Sequence, residues 1–192
     1  MSLLRAFIAI EISPKIQQAI HQATSPLCAE LGASVRWTAP ENIHLTLKFL
    51  GDISPAQANA LTAMLRSQAD AVPAFEIHTG SLGAFPDAKR ARILWIGIRA
   101  PAELDALFRG IDAACIRLGF ESEKRGLSPH LTNARVRQDT SASDAQRIRR
   151  ALEAAKVDSL GAVRVDSVHL FKSDLKRDGA VYTKLFSAPL KS

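Results

Sequence analysis

His44-Leu45-Thr46 and His130-Leu131-Thr132 repeat one tripeptide 86 residues apart, in a chain of 192 residues with only five histidines. In an extended strand, residues two apart project from one face about 6–7 Å from each other. Each copy therefore offers an imidazole and a hydroxyl, side by side, to one small ligand. Imidazoles exchange protons near neutral pH. Two of them, one neutral and one protonated, suit the general base and general acid of a single reaction. Threonine hydroxyls donate hydrogen bonds to an anionic centre between them. Arg135, five residues after His130, adds a fixed positive charge suited to phosphate. This set fits attack by water on a phosphodiester whose leaving group is an alkoxide. A metal centre is the weaker reading, because two histidines alone make an incomplete ligand set and no carboxylate or cysteine accompanies them.

The elements that must position these groups follow from the apolar pattern. Residues 4–12 read as a buried strand, and Ser13-Pro14 opens a helix with the stripe Ile16, Ala19, Ile20, Ala23 and Leu27. Pro26 is expected to kink or end that helix, and Gly32 to terminate it. A short strand, "VRWT", and a turn, "APEN", lead into "IHLTLKFLG". There Ile43, Leu45 and Leu47 alternate with His44, Thr46 and Lys48, giving one apolar and one polar face. Ser54-Pro55 opens a second helix, residues 74–83 and 91–99 read as strands, and 102–118 is the clearest helix of the chain. "HLTNARV" is again a strand, followed by a helix over about 143–155 and a final hairpin pairing 162–172 with 180–187. The order of elements recurs in the two halves. The expectation is an α+β fold, one domain over residues 1–192, with two pseudo-symmetric lobes. Each lobe is an antiparallel sheet with helices on its outer face, and the site lies in the groove between them.

Composition bounds the partners. The chain is 47% apolar, with a formal charge of +6 and a pI near 9.7, which favours anionic partners without choosing among them. Cys28 and Cys115 fall at apolar helical positions, as expected of two reduced, buried thiols. The N-terminus reads as a strand rather than a signal peptide, and nowhere do 18 consecutive apolar residues occur. A cytoplasmic location without membrane contact is expected.

Taken with "FIAIEI", "VRWTAPENIHLTLKFLGDI", "GSLGAFPDAKRARILWIGI", "LGFESEKRGLSPHLTNARV" and "VDSVHLFKSDLKRDGAVYTKL", the motifs resemble the 2H phosphoesterases over nearly the whole chain. The branch they are most similar to is that of the RNA 2′,3′-cyclic phosphodiesterases, also called 2′-5′ RNA ligases. The resemblance implies hydrolysis of a 2′,3′-cyclic phosphate end to a 2′-phosphate with no cofactor or metal, by a monomer acting on RNA ends or cyclic nucleotides. It implies that His44 protonates the departing 3′ oxygen, that His130 activates water, and that Thr46 and Thr132 hold the non-bridging oxygens. Arg135 would contact phosphate or base, and Phe49, at the same offset from His44, would stack on a base. Strict alternation places both of these residues on the wrong face, so each needs a bulge or the strand end to reach inward. Asn133 stands where the family carries an aliphatic residue, and alternation points it into packing. Lys89, Arg90, Arg92, Lys124 and Arg125 are further candidates for RNA backbone contact. Two other functions are compatible with the motifs: joining RNA ends, which uses the same groups in reverse, and binding RNA ends or nucleotides without catalysis.

Overall fold

The computed structural model describes residues 3–123, 126–176 and 179–191. Nine strands and four α-helices lie within them, in the order β1 (Leu4–Glu11), α1 (Pro14–Leu31), β2 (Val35–Trp37), β3 (His44–Ile53), α2 (Pro55–Asp70), β4 (Phe75–Phe85), β5 (Ile93–Arg99) and α3 (Ala102–Arg117), then β6 (His130–Val136), α4 (Ala142–Ala154), β7 (Gly161–Val165), β8 (Ser167–Lys176) and β9 (Gly179–Pro189). Both Ser-Pro pairs place proline in the first turn of a helix. Only Ser54 closes a capping box, with Gln57; Ser13 makes no side-chain cap bond. Pro26 does not end α1, which continues to Leu31 and stops at Gly32 with φ of +50°. Pro26 sits on the exposed side of α1. There water can serve the Gln22 carbonyl that a proline cannot satisfy.

The strands form two antiparallel sheets, ordered β3-β1-β8-β9 and β2-β6-β5-β4-β7. The α+β, two-sheet expectation holds, but the halves of the chain are interwoven. β2 leaves the first half to pair with β6, and β8 and β9 return from the second half to pair beside β1. This corrects the final hairpin: residues 162–165 belong to β7, which pairs with β4 in the other sheet, and the hairpin is β8–β9 alone.

A main core joins Ile8, Ile10, Leu45 and Leu170 of the first sheet to Ile77, Ile96 and Leu131 of the second, with α2 and α3 supplying Leu61, Leu65, Leu107 and Ile111. A smaller core continues along the same face of the second sheet toward its β2 edge, where Leu27 and Leu31 of α1 and Ile148 of α4 pack on Val35, Leu94 and Ala134. Both cysteines are free, but only Cys115 is buried; Cys28 lies on the exposed flank of α1, contrary to the expected pair of buried thiols. Among the described residues no helix is long and apolar enough to cross a membrane.

Candidate active site

The two motif strands, β3 and β6, pack against each other from different sheets. Leu45 and Leu131, the middle residue of each tripeptide, are buried in the same core, so His44, Thr46, His130 and Thr132 project from the opposite side of their strands. All four are half-buried.

Beyond the tripeptides the two strands break alternation at the same place. In the β1–β3 ladder Ile8 pairs with Lys48 and Ala9 with Thr46, which leaves Leu47 as an extra residue. In the β5–β6 ladder Leu94 pairs with Ala134 and Trp95 with Thr132, which leaves Asn133 as an extra residue. At such a bulge two successive residues turn to one side, and the phase of the strand reverses beyond it. Leu47 and Lys48 are both buried, and so are Asn133 and Ala134; Phe49 and Arg135 come next and are both exposed. Phe49 thereby joins the His44 face, where its ring is 6.3 Å from that of Phe7. Of the two devices that could turn these residues inward, a bulge or the strand end, both strands use a bulge.

It also corrects the polar face expected over 43–51. Lys48 is rotated into the interior and is only 4% exposed. Its ammonium lies 2.6 Å from Asp112 on α3 and donates to the Glu121 carbonyl at 2.5 Å. Asp112 also accepts from the Ser122 hydroxyl and the Glu123 amide. Burial raises the pKa of that carboxyl, but these donors outweigh it and hold it below its ordinary 3.8. The network fastens β3 to the loop that leads toward His130.

Each histidine is held in one tautomer by the chain just before it. His44 Nδ1 is 2.8 Å from the Asn42 carbonyl, and His130 Nδ1 is 2.7 Å from the Ser128 carbonyl. A carbonyl only accepts, so Nδ1 carries a proton in both rings and Nε2 is left to exchange one. Beyond that the rings sit in different surroundings. His44 stacks on Phe7 at 4.8 Å and meets the edge of Tyr182 at 5.1 Å, while Phe7 stacks on Phe171 at 5.3 Å. This aromatic setting lowers the His44 pKa from 6.5 through loss of hydration, and the bond to Asn42 only partly offsets it. His130 meets the edge of Phe85 at 4.9 Å, and Phe85 packs on Trp95 at 5.4 Å. Trp95 lies flat against Gly83, where a Cβ would come within 2.2 Å of the indole. Glycine is therefore required for the ring to approach.

Two hollows flank the histidines. One of about 420 Å³ opens beside His44, between Phe7, Phe171 and Tyr182, with Glu11, Asn42 and Lys184 on its polar side. The other, of about 460 Å³, lies past Gly97 and Pro129 and reaches Ser81 and Arg99. Glu11 is paired with Lys184 at 2.6 Å. Phe7, Phe85, Phe171 and Tyr182 were not singled out by sequence, because aromatic residues in strands read first as core. Their grouping appears only in the structure, where Phe7 and Phe171 pair directly across β1 and β8.

Asn133 is 2% exposed, as its place on the packing side required, and among the described residues its Nδ2 finds no hydrogen-bond partner. Of the further basic candidates, Arg90 is engaged with Asp87, Lys89 and Arg92 are exposed, and Lys124 and Arg125 lie outside the described residues. Among the described residues no three His, Cys, Asp or Glu side chains cluster closely enough to hold a metal ion.

A family model described as LigT like Phosphoesterase matches the chain twice, over residues 10–95 and 96–182, one histidine motif in each match. The RNA 2′,3′-cyclic phosphodiesterase of Methanothermobacter thermautotrophicus is 29% identical over 182 residues, covering 95% of this chain and 96% of that protein. The RNA 2′,3′-cyclic phosphodiesterase of Aeropyrum pernix is 30% identical over 165 residues, 85% of this chain and 91% of its own. Among solved structures, E. coli LigT complexed with NADP+ superposes with a TM-score of 0.77 at 25% identity, over 100% of both chains.

Proposed function

The chain belongs to the LigT-like phosphoesterase family, and from that premise we propose that it is an RNA 2′,3′-cyclic phosphodiesterase, a hydrolase that opens a cyclic phosphate end to a 2′-phosphomonoester. The observation that carries this reading is the pair of imidazoles with Nδ1 engaged and Nε2 free, one on each of two adjoining strands. Relatives named for this activity match over most of their length. E. coli LigT binds NADP+, whose adenosine ribose carries a 2′-phosphate, the group that the reaction leaves.

In the reaction, water donates a proton to Nε2 of neutral His130 as its oxygen attacks phosphorus. The P–O3′ bond breaks in line with the attack, and protonated His44 gives its Nε2 proton to the departing 3′ oxygen. Phosphorus keeps the O2′ link, so the product is the 2′-phosphate and a free 3′ hydroxyl. Thr46 and Thr132 donate to the non-bridging oxygens, and Phe49 and Arg135 hold the terminal nucleotide. Burial disfavours the His44 imidazolium in the free protein. The negative charge of bound substrate restores it. Both histidines come from one chain, so the site is complete in a monomer, a single two-lobed domain over residues 1–192 working in the cytoplasm on RNA ends.

Incubation with nucleoside 2′,3′-cyclic phosphates in EDTA tests the proposal. The 2′-monophosphate is the expected product, and His44→Ala or His130→Ala abolishes its formation. Full turnover by His130→Ala overturns the two-histidine assignment, and release of the 3′-monophosphate overturns the departure of the 3′ oxygen.

A further inference from the structure

Ala180, Tyr182 and Lys184 of β9 stand two residues apart and line the hollow beside His44 together. Each acts on the surroundings of that imidazole. The Ala180 carbonyl accepts from Asn42 Nδ2 at 3.0 Å, and the Asn42 carbonyl in turn engages His44 Nδ1 at 2.8 Å. Tyr182 lies edge-to-face with the ring at 5.1 Å. Lys184 binds Glu11 at 2.6 Å. Glu11 is the residue that pairs with His44 in the β1–β3 ladder. The preceding pair, Ile10 with Leu45, lies in the main core, so Glu11 and His44 project together from the other face.

Directly opposed residues of an antiparallel pair have Cβ atoms about 4.5–5.5 Å apart, and opposite charges so placed attract. Among the described residues Glu11 nevertheless meets Lys184 and, at 3.5 Å, His169 of β8, and not His44. β8 and β9 lie on the far side of β1 from β3, so the carboxylate leans away from His44. His169 is buried, and loss of hydration lowers its pKa from 6.5 against the opposing charge of Glu11. Its ring is therefore neutral at neutral pH, and the charge that draws Glu11 aside is that of Lys184. Glu41, which is exposed, and Tyr182 are the other titratable side chains on the wall of this hollow, and His130 stands on the adjoining strand β6.

We propose that Lys184 is a positioning residue: it holds Glu11 aside, so that His44 keeps its Nε2 proton for the departing 3′ oxygen. This rests on the cyclic phosphodiesterase reading, in which His44 is the general acid. His44 Nδ1 is taken by the Asn42 carbonyl, so Nε2 is the one ring nitrogen left for a carboxylate to engage. A released Glu11 has two effects. Its negative charge beside the ring favours the imidazolium, and its oxygen accepts the bond that the leaving group needs. Paired with Lys184, its charge is largely cancelled at the ring. The acid is then free to give its proton when substrate arrives.

The test is a charge cycle read in the acid limb of kcat/KM with a nucleoside 2′,3′-cyclic phosphate, comparing wild type, Lys184→Met, Glu11→Gln and the double variant. Lys184→Met leaves the Glu11 charge unopposed and moves the limb to higher pH by about 0.5–1 unit, as for a unit charge about 7 Å away in a largely aqueous dielectric. Its kcat falls as well, because Nε2 is engaged. Glu11→Gln leaves the ammonium unopposed and moves the limb to lower pH. The double variant brings the limb back toward wild type, which a loss of packing would not do, and Lys184→Arg keeps the wild-type limb. Should Lys184→Met fail to fold, Lys184→Gln makes the same change of charge. A limb within about 0.2 unit of wild type on loss of the ammonium, or a double variant displaced as far as Lys184→Met, overturns the proposal. NMR titration of the His44 ring in the free protein reads the same shifts without turnover. A wild type that turns nothing over defeats the phosphodiesterase reading, while the His44 midpoint, raised in Lys184→Met or unmoved, still judges Lys184.

Discussion

Leu47 and Asn133 occupy the same place in two strands from different sheets: each is the residue that the neighbouring strand skips. Both are buried, and both turn the following phase of the strand so that the fifth residue after the histidine faces outward with it. The equivalence extends the repeat beyond His-Leu-Thr to a six-residue unit, although the side chains at the last three positions have nothing in common.

Phe49 is 68% exposed, so its ring contributes little to the fold. Phe49→Ala is expected to leave stability within about 0.5 kcal/mol of wild type, as read from the midpoint of urea unfolding. The same change removes a platform for a base and raises KM about tenfold, since base–aromatic stacking contributes about 1–3 kcal/mol. A loss of stability with KM unchanged would mark Phe49 as packing.

Asn133 faces the interior with an amide nitrogen that has no partner among the described residues, where its counterpart Leu47 carries a buried aliphatic side chain. Asn133→Leu is close to isosteric and removes a buried polar group that lacks a partner. Stability should rise by about 1 kcal/mol, seen as a higher urea midpoint at unchanged slope, with kcat/KM unaltered. A destabilised Asn133→Leu would mean that the amide is satisfied in solution.

The lower of the pKa values that shape kcat/KM defines its acid limb, whichever ring serves as acid. Because His44 is held below 6.5 by burial among Phe7, Tyr182 and Phe171, that limb should fall below 6.5. Tyr182→Ser hydrates the ring, moves its pKa upward and carries the limb with it. A limb at 6.5 or above in wild type would refute the burial argument. The same shift bears on stability. The unfolded chain takes up the His44 proton first as pH falls below 6.5, so this group withdraws stability on acidification and contributes none above that pH.

The motif faces were legible because alternation is local: His44 with Thr46, and His130 with Thr132, need only an extended backbone. That Phe49 and Arg135 fall out of phase was legible for the same reason, but not whether a bulge or the strand end turns them inward. What Lys48 does was not legible. Alternation assigns it to the polar face, and only the partner that waits in the interior, Asp112, 64 residues away, makes its burial tolerable. The exchange of β2 into the second sheet was hidden as well, because a three-residue strand has too few side chains to declare a partner. Cys28 was misplaced because α1 runs on through Pro26 and presents that side to solvent.

Lys48 and Asp112 supply the last prediction. Lys48 is almost wholly enclosed and Asp112 is 15% exposed at its side chain. Asp112→Ala strands a buried ammonium and should cost about 3–5 kcal/mol. Lys48→Met leaves Asp112 with the Ser122 hydroxyl and the Glu123 amide, so it should cost less. The double variant Lys48→Met with Asp112→Leu should recover most of the loss, because apolar replacement of a buried ion pair is commonly neutral. Lys48 directly precedes Phe49, and its contact with the Glu121 carbonyl fastens β3 to the loop that delivers His130. The double variant is therefore expected to be stable yet to show a raised KM, because the outward phase of Phe49 loses its anchor. Thermal unfolding beside steady-state kinetics separates the two effects; a stable double variant with wild-type KM would reduce the ion pair to a role in folding alone.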